Sequence, residues 1–397
     1  MNFVARVFDP ARTIGGVAFL TPLLALYVPL SLAIVVPVGA VLLIVCRNAA
    51  GIQRVRFDWP VVAILAGFLA VAVLSVFWSY APAFSLDKLS RTALAMTAGL
   101  IFVTGIKGLD REVAKQVSSC FVAGMGIALL LLIVERFSGG VMIRHIATDD
   151  SRNVFLNQFN RPLSILSVLI WPAVVILVQR GKIWGIGAVV SFVFVLSAFL
   201  NVAAFFAIGA GALVFLVVYM LPRNGSLIVG VALAAAVLLA PTIDRQLPAP
   251  RQLYESMNLP RSTYHRLLIW GFATERIAER PVLGWGFNTS RAMPGGQKNL
   301  DISEIAMPLH PHNAALQWRL ELGILGALFG AGLILVATEM ARRYAAGRVA
   351  RAGAVAAIGA TFVIAMISFG AWQTWWVSGM FLIAGFTVLA CRRRSSE

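Results

Sequence analysis

Between Lys182 and Arg223 the chain carries no charged residue, and the same holds between Asp58 and Asp87 and between Arg223 and Asp244. Uncharged runs of this length suit a bilayer core, which a helix crosses with about 20 mostly apolar residues. A water-soluble domain has no interior able to hide so much apolar surface. Of the 397 residues, 59% are hydrophobic and 13% charged, and the mean hydropathy is +0.85. The reading is an all-α polytopic membrane protein, because a backbone in lipid must satisfy its own hydrogen bonds.

About twelve spans are expected, at 13–29, 31–46, 59–78, 91–106, 118–136, 162–179, 183–200, 202–221, 227–241, 313–340, 352–369 and 377–391. The stretch 13–46 is too long for one span and is divided near Pro29; 183–221 is divided near Asn201. Three regions follow: a bundle over 1–241, a long outside loop over 242–312, and C-terminal spans over 313–397. With both termini inside, the inner segments hold eighteen of the 33 lysines and arginines but six of the 17 acids, as the positive-inside rule requires. The net charge of +16 therefore belongs to insertion and anionic headgroups. No basic patch with interleaved aromatics points to nucleic acid. No small-residue cleavage site follows the first apolar run, so no removable signal is expected. Cys46, Cys120 and Cys391 fall near the inner ends of spans, which speaks against a disulfide framework.

Polar chemistry is gathered outside the spans. All four histidines, His145, His265, His310 and His312, fall in outside segments on one side. His312-Asn313 leads straight into the apolar run from Ala314. Asn is among the best N-cap residues, and an imidazole beside a helix N-terminus meets the positive end of the dipole, which disfavours its protonation. A neutral histidine can serve as a general base; the plainer reading is a histidine that only caps or hydrogen-bonds. Arg266, and Arg161 just before Pro162, are candidate phosphate partners because the guanidinium fork bonds two oxygens at once. Singly, each also suits a lipid headgroup.

Within the long loop, 261–280 reads as an amphipathic helix with Trp270, Ala273 and Ile277 as its apolar stripe. Ser262 or Thr263 is expected to cap it and Pro281 to end it. It is expected to lie along the membrane interface with its apolar side toward the acyl boundary. Trp372, Trp375 and Trp376 read as interfacial anchors. Asp149-Asp150 has no partner at metal-ligand spacing, so no metal or cofactor is expected. Glu321, inside a span, is expected to pair elsewhere and mark the site.

One set of residues resembles a known family. His312-Asn313, nine intervening residues and Gly323-Ile324-Leu325-Gly326 resemble the His-[Asn/Ser/Gln]-x9-Gly-x-x-[Gly/Thr/Tyr] signature of bacterial O-antigen ligases. Arg266 to Trp270, then Arg280-Pro281-Val282-Leu283-Gly284-Trp285-Gly286, is similar to the arginine motif and Pro-x-x-Gly-x-Gly segment of the wider ligase and Wzy-polymerase superfamily. Where the ligase form has Arg-x3-Leu, this chain has Trp270. The resemblance implies a GT-C-like, metal-independent, inverting glycosyltransferase of the bacterial inner membrane, with both termini cytoplasmic and its site facing the periplasm. It would move a glycan from undecaprenyl diphosphate to lipid A–core oligosaccharide, with His312 as base and Arg266 and Arg161 on the diphosphate. Around them, Asn313, Trp270, His310 and Arg261 are candidate substrate-binding residues. A polymerase acting on a lipid-linked chain, or a protein O-oligosaccharyltransferase, would use the same chemistry. A lipid-linked glycan transporter would place polar groups at mid-membrane, which spans such as 59–78, 202–221 and 227–241 lack.

Overall fold

The computed structural model describes residues 9–46, 57–146, 158–181, 201–301 and 304–392, together with 185, 187, 189, 191–193 and 199. Apart from one antiparallel bridge between Asn299 and Ile305, regular structure among the described residues is helical. The first nine helices are α1 Pro10–Tyr27, α2 Leu32–Val45, α3 Trp59–Leu74, α4 Pro82–Gly108, α5 Arg111–Ser138, α6 Val141–Ile146, α7 Asn160–Gln179, α8 Val202–Met220 and α9 Gly225–Gln246. There follow α10 Pro250–Met257, α11 Arg261–Glu279, α12 Ala314–Tyr344, α13 Gly347–Ile367 and α14 Thr374–Ala390.

Eight helices among the described residues are long and apolar enough to cross a membrane, and Pro29–Val45 and Thr374–Ala390 are shorter apolar helices. The chain is thus an all-α polytopic membrane protein. The expected span 183–200 lies largely outside the described residues. The first apolar stretch breaks where proline removes a backbone donor: α1 ends at Tyr27 and a short 3-10 turn covers Pro29–Ser31. Asn201 starts α8, its side chain accepting a hydrogen bond from the Ala204 N–H at 2.8 Å.

Lipid offers no hydrophobic drive for helices to associate, so close packing must hold the bundle. α7 is the central helix, nearly all of it buried. α14 packs against α2, α4 and α7, and Phe386 stacks on Phe121 of α5 at 4.2 Å between ring centroids.

Three expectations are corrected where α9 leads towards α12. α11 starts directly after Pro260 with no side-chain cap. Ser262 and Thr263 therefore lie inside its first turn rather than at its cap. Its apolar stripe faces protein, not lipid: Ile269, Ala273 and Ile277 are buried against Trp285, Met307 and Leu320. Trp372, Trp375 and Trp376 are likewise buried in the bundle rather than spread on the membrane surface.

The span expected as one helix over 313–340 is broken. Gly323 sits at φ 62°, ψ −149° inside α12, a region essentially restricted to glycine. There the backbone of Pro281–Gly286 docks into the break. The Trp285 and Gly286 N–H groups donate to the Leu320 and Glu321 carbonyls at 3.0 and 2.8 Å, and the Ile324 N–H donates to the Pro281 carbonyl at 3.1 Å. A Cβ on Gly323 would stand 2.0 Å from the Val282 oxygen, and one on Gly284 would stand 2.5 Å from the Glu321 backbone. The two glycine motifs are thus halves of one backbone joint that sets the angle at which the first turns of α12 leave the bundle.

Candidate active site

The joint brings four segments to the head of α12. Its hub is Glu321, fully buried. Five donors converge on its carboxylate: the Asn288 and Ser290 N–H groups, the Ser290 hydroxyl, the Gln317 carboxamide and the Trp372 indole. Gln317 in turn accepts from the Ala371 N–H at 2.8 Å. One side chain therefore ties the 286–290 loop and the 368–373 loop to α12. The expectation that Glu321 pairs elsewhere is realised in these contacts, and its neighbour two residues back, Arg319, is not among them.

Asn313 caps α12 through its side-chain oxygen, which accepts from the Leu316 N–H at 3.1 Å. Just before it, His312 sits at φ 55°, a left-handed backbone uncommon outside glycine and found where a site holds it. Its Nδ1 lies 2.7 Å from the Ser368 carbonyl oxygen. A carbonyl can only accept, so Nδ1 carries the proton and Nε2 keeps its lone pair. Burial lowers the His312 pKa, with the Arg266 and His265 charges acting the same way and the Ser368 carbonyl opposing. The ring is therefore neutral near pH 7, with its basic nitrogen unspent.

His310 is arranged differently. Its Nδ1 accepts from the His312 N–H at 3.2 Å, and its Nε2 meets the Gln373 carboxamide at 3.1 Å. The two imidazoles lie 4.2 Å apart between centroids. Burial, with His312, Arg291 and Arg266 adding repulsion, pushes the His310 pKa down to about 3. Its acceptor nitrogen is taken by the His312 N–H, so the structure gives it a positioning geometry.

Arg266 arrives on the buried stripe of α11, one turn before Ile269. Burial lowers its pKa, yet a guanidinium stays charged at any ordinary pH. Its field reaches both imidazoles. One turn on, the Trp270 indole donates to the Pro311 carbonyl at 2.8 Å, the peptide between the two histidines. A leucine there would make no such bond, so the departure from Arg-x3-Leu has a structural use. Arg161 lies at the start of α7 with its guanidinium 6.0 Å from the Trp375 ring. Trp375 donates to Gln373 at 2.9 Å, so Arg161 joins the histidine pair only through two intermediaries. Arg261 is turned to the exposed rim, 3.3 Å from Glu304. His145 bonds its own helix at Val141, and His265 meets the Ile305 carbonyl at 3.1 Å.

Two cations were not singled out from sequence. Arg291 repels a charge on His310, and Lys88 reaches Thr374 at 3.3 Å while feeling both Arg291 and Glu321. Lys88 belongs to a helix otherwise read only as a span, and no local pattern marks it. Among the described residues, no group of three or more His, Cys, Asp or Glu is placed to hold a metal; Asp149-Asp150 lies outside them.

Comparison with known proteins adds two findings. Residues 188–331 match the family described as O-antigen ligase, an interval that includes α11, the backbone joint and both site histidines. A Rickettsia conorii protein named as a putative polysaccharide ligase is 28% identical over 337 residues, covering 83% of this chain and 80% of the relative. Proteins of the same printed description from Rickettsia prowazekii and Rickettsia typhi are each 30% identical, over 67% and 66% of this chain and 66% and 65% of their own.

Proposed function

The chain belongs to the O-antigen ligase superfamily, and on that premise we propose that it transfers a glycan from undecaprenyl diphosphate to lipid A–core oligosaccharide. The observation that carries the proposal is the free Nε2 of a neutral His312 within the field of Arg266. An acceptor hydroxyl attacks the anomeric carbon and gives its proton to that nitrogen. The new carbon–oxygen bond forms as the bond to the diphosphate breaks, so the configuration inverts. The departing diphosphate gathers negative charge, which preorganised cations stabilise more strongly than water does. Arg266 is assigned to it first, with Arg161 at the rim beyond Trp375. On this reading the site faces the periplasm of the inner membrane, both termini are cytoplasmic, and no metal or cofactor is needed.

The roles of the remaining candidates follow from their contacts. Asn313 and Trp270 hold the His312 loop, His310 shapes it, and Arg261 stands at the entrance. The test is transfer by purified protein given lipid-linked donor and core acceptor. His312→Ala should lower turnover by at least about 100-fold while the protein still folds. Normal transfer by that variant would remove His312 as the base. Trp270 in place of leucine favours a second reading, a Wzy-type polymerase. A ladder of repeat units built on the carrier with no core acceptor present would establish that reading and reject ligation to core.

A further inference from the structure

Below the site, a cavity of about 1430 Å³ runs between α4, α12, α13 and α14 from Ala314 and Ala371 to the opposite end of the bundle. Its middle wall is apolar, formed by Met96, Leu100, Val103, Ile334, Met340 and Phe381. At the far end its lining changes character: Lys107, Arg111, Lys115, Arg180 and Arg392 all border it, with Glu112 as the one acid among its lining residues. Lys107 is matched there by Asp58 at 2.7 Å and lies 4.9 Å from the centre of the Tyr344 ring. Arg180 donates to the Lys115 carbonyl at 3.2 Å. Arg392 donates to the Leu109 and Asp110 carbonyls, so cations outnumber acids among the side chains lining the mouth.

We propose that this chamber binds an anionic phospholipid, with acyl chain in the apolar bore and phosphate at the mouth bordered by Arg111, Lys115, Arg180 and Arg392. The volume exceeds the roughly 300–1,000 Å³ of ordinary small-molecule sites, which suits a long chain. Protein interiors do not sustain large empty apolar space, and in a bilayer the available filler is lipid. Basic pockets between transmembrane helices are suited to phosphate headgroups. Orientation of the protein in the membrane also calls for cations at one end, but that requirement needs no cavity behind them. The cationic mouth lies at the end of the bundle away from His312, although the bore itself reaches Ala314 beneath the His312 loop.

The test is a lipid titration of the purified full chain followed by native mass spectrometry, with phosphatidylglycerol, phosphatidylcholine and undecaprenyl phosphate as probes. The chain should hold phosphatidylglycerol in preference to phosphatidylcholine by about tenfold or more, given about fivefold for each engaged cation. The exposed pair Arg111→Gln with Lys115→Gln should erase that preference while the protein stays folded. Ala337→Phe, which fills the bore, should lose both phospholipids while leaving the charges in place. Equal binding of the two phospholipids, or an unchanged preference in the charge variant, would overturn the proposal. So would displacement of phosphatidylglycerol by undecaprenyl phosphate at a tenth of its concentration, which would assign the chamber to the carrier. If Ala337→Phe does not fold, the charge variant alone decides.

Discussion

The segments Pro281–Ala292 and Pro308–Asn313 both close on the start of α12, but the first is held by its backbone and the second by its side chains. Peptide groups of 281–286 bond peptide groups of 320–324, and glycine is required where the chains touch. The histidine segment is instead gripped by Trp270, Ser368 and Gln373. Backbone joints tolerate almost no substitution, whereas a side-chain grip leaves one ring nitrogen free to react.

The difference can be broken first at the joint. Gly323→Ala forces a side chain into the Val282 carbonyl and into a backbone region that costs about 1–3 kcal/mol by itself. We expect little folded protein, read as loss of the monodisperse peak in detergent; a well-folded variant would show that the joint is not obligatory. Next comes Arg266→Lys, which keeps the charge but loses the fork. Turnover should fall by about 100-fold with folding intact, and near-normal turnover would free Arg266 from any role on the diphosphate.

The two histidines should separate by pH. Transfer should decline in acid with a midpoint below 6.5, because burial favours neutral His312. Removing the neighbouring charge in Arg266→Gln should move the midpoint of the residual activity upward. His310 affects stability instead. An unfolded histidine binds a proton below about 6.5, while the folded ring resists until about 3. Stability should therefore fall as pH drops through that window, by at most about 1.4 kcal/mol per pH unit from this group. Thermal melts of His310→Gln should show a flatter acid slope; an identical slope would contradict the buried neutral ring. The smallest effect is expected at Ser262→Ala, within about 0.5 kcal/mol, since Ser262 caps nothing. A loss of about 1 kcal/mol, the usual value of an N-cap, would restore it to that role.

The sequence pattern exposes the membrane class, the break near Pro29, the start of α8 after Asn201, and the limits of α11 to within a residue or two. It also pointed inside-out at two places: Ile277 and the tryptophans 372, 375 and 376 were assigned to lipid but face protein. An apolar side chain has the same transfer free energy into either medium, so periodicity alone does not distinguish them. His312 and Asn313 were legible because a polar residue at the end of an apolar run has few roles, and Arg266 because it opens the arginine motif. Lys88, Arg291 and Gln373 were not, since each acquires its meaning only from a neighbour on another segment of the chain.

What the amino-acid order settles here is local: which stretches prefer hydrocarbon, and that Asn313 opens the helix after it. Which nitrogen of His312 stays free, and which arginine its ring senses, depends on a carbonyl 56 residues away and a helix from another part of the chain. Hydrogen bonds and fields act through space, so those choices belong to the folded chain alone.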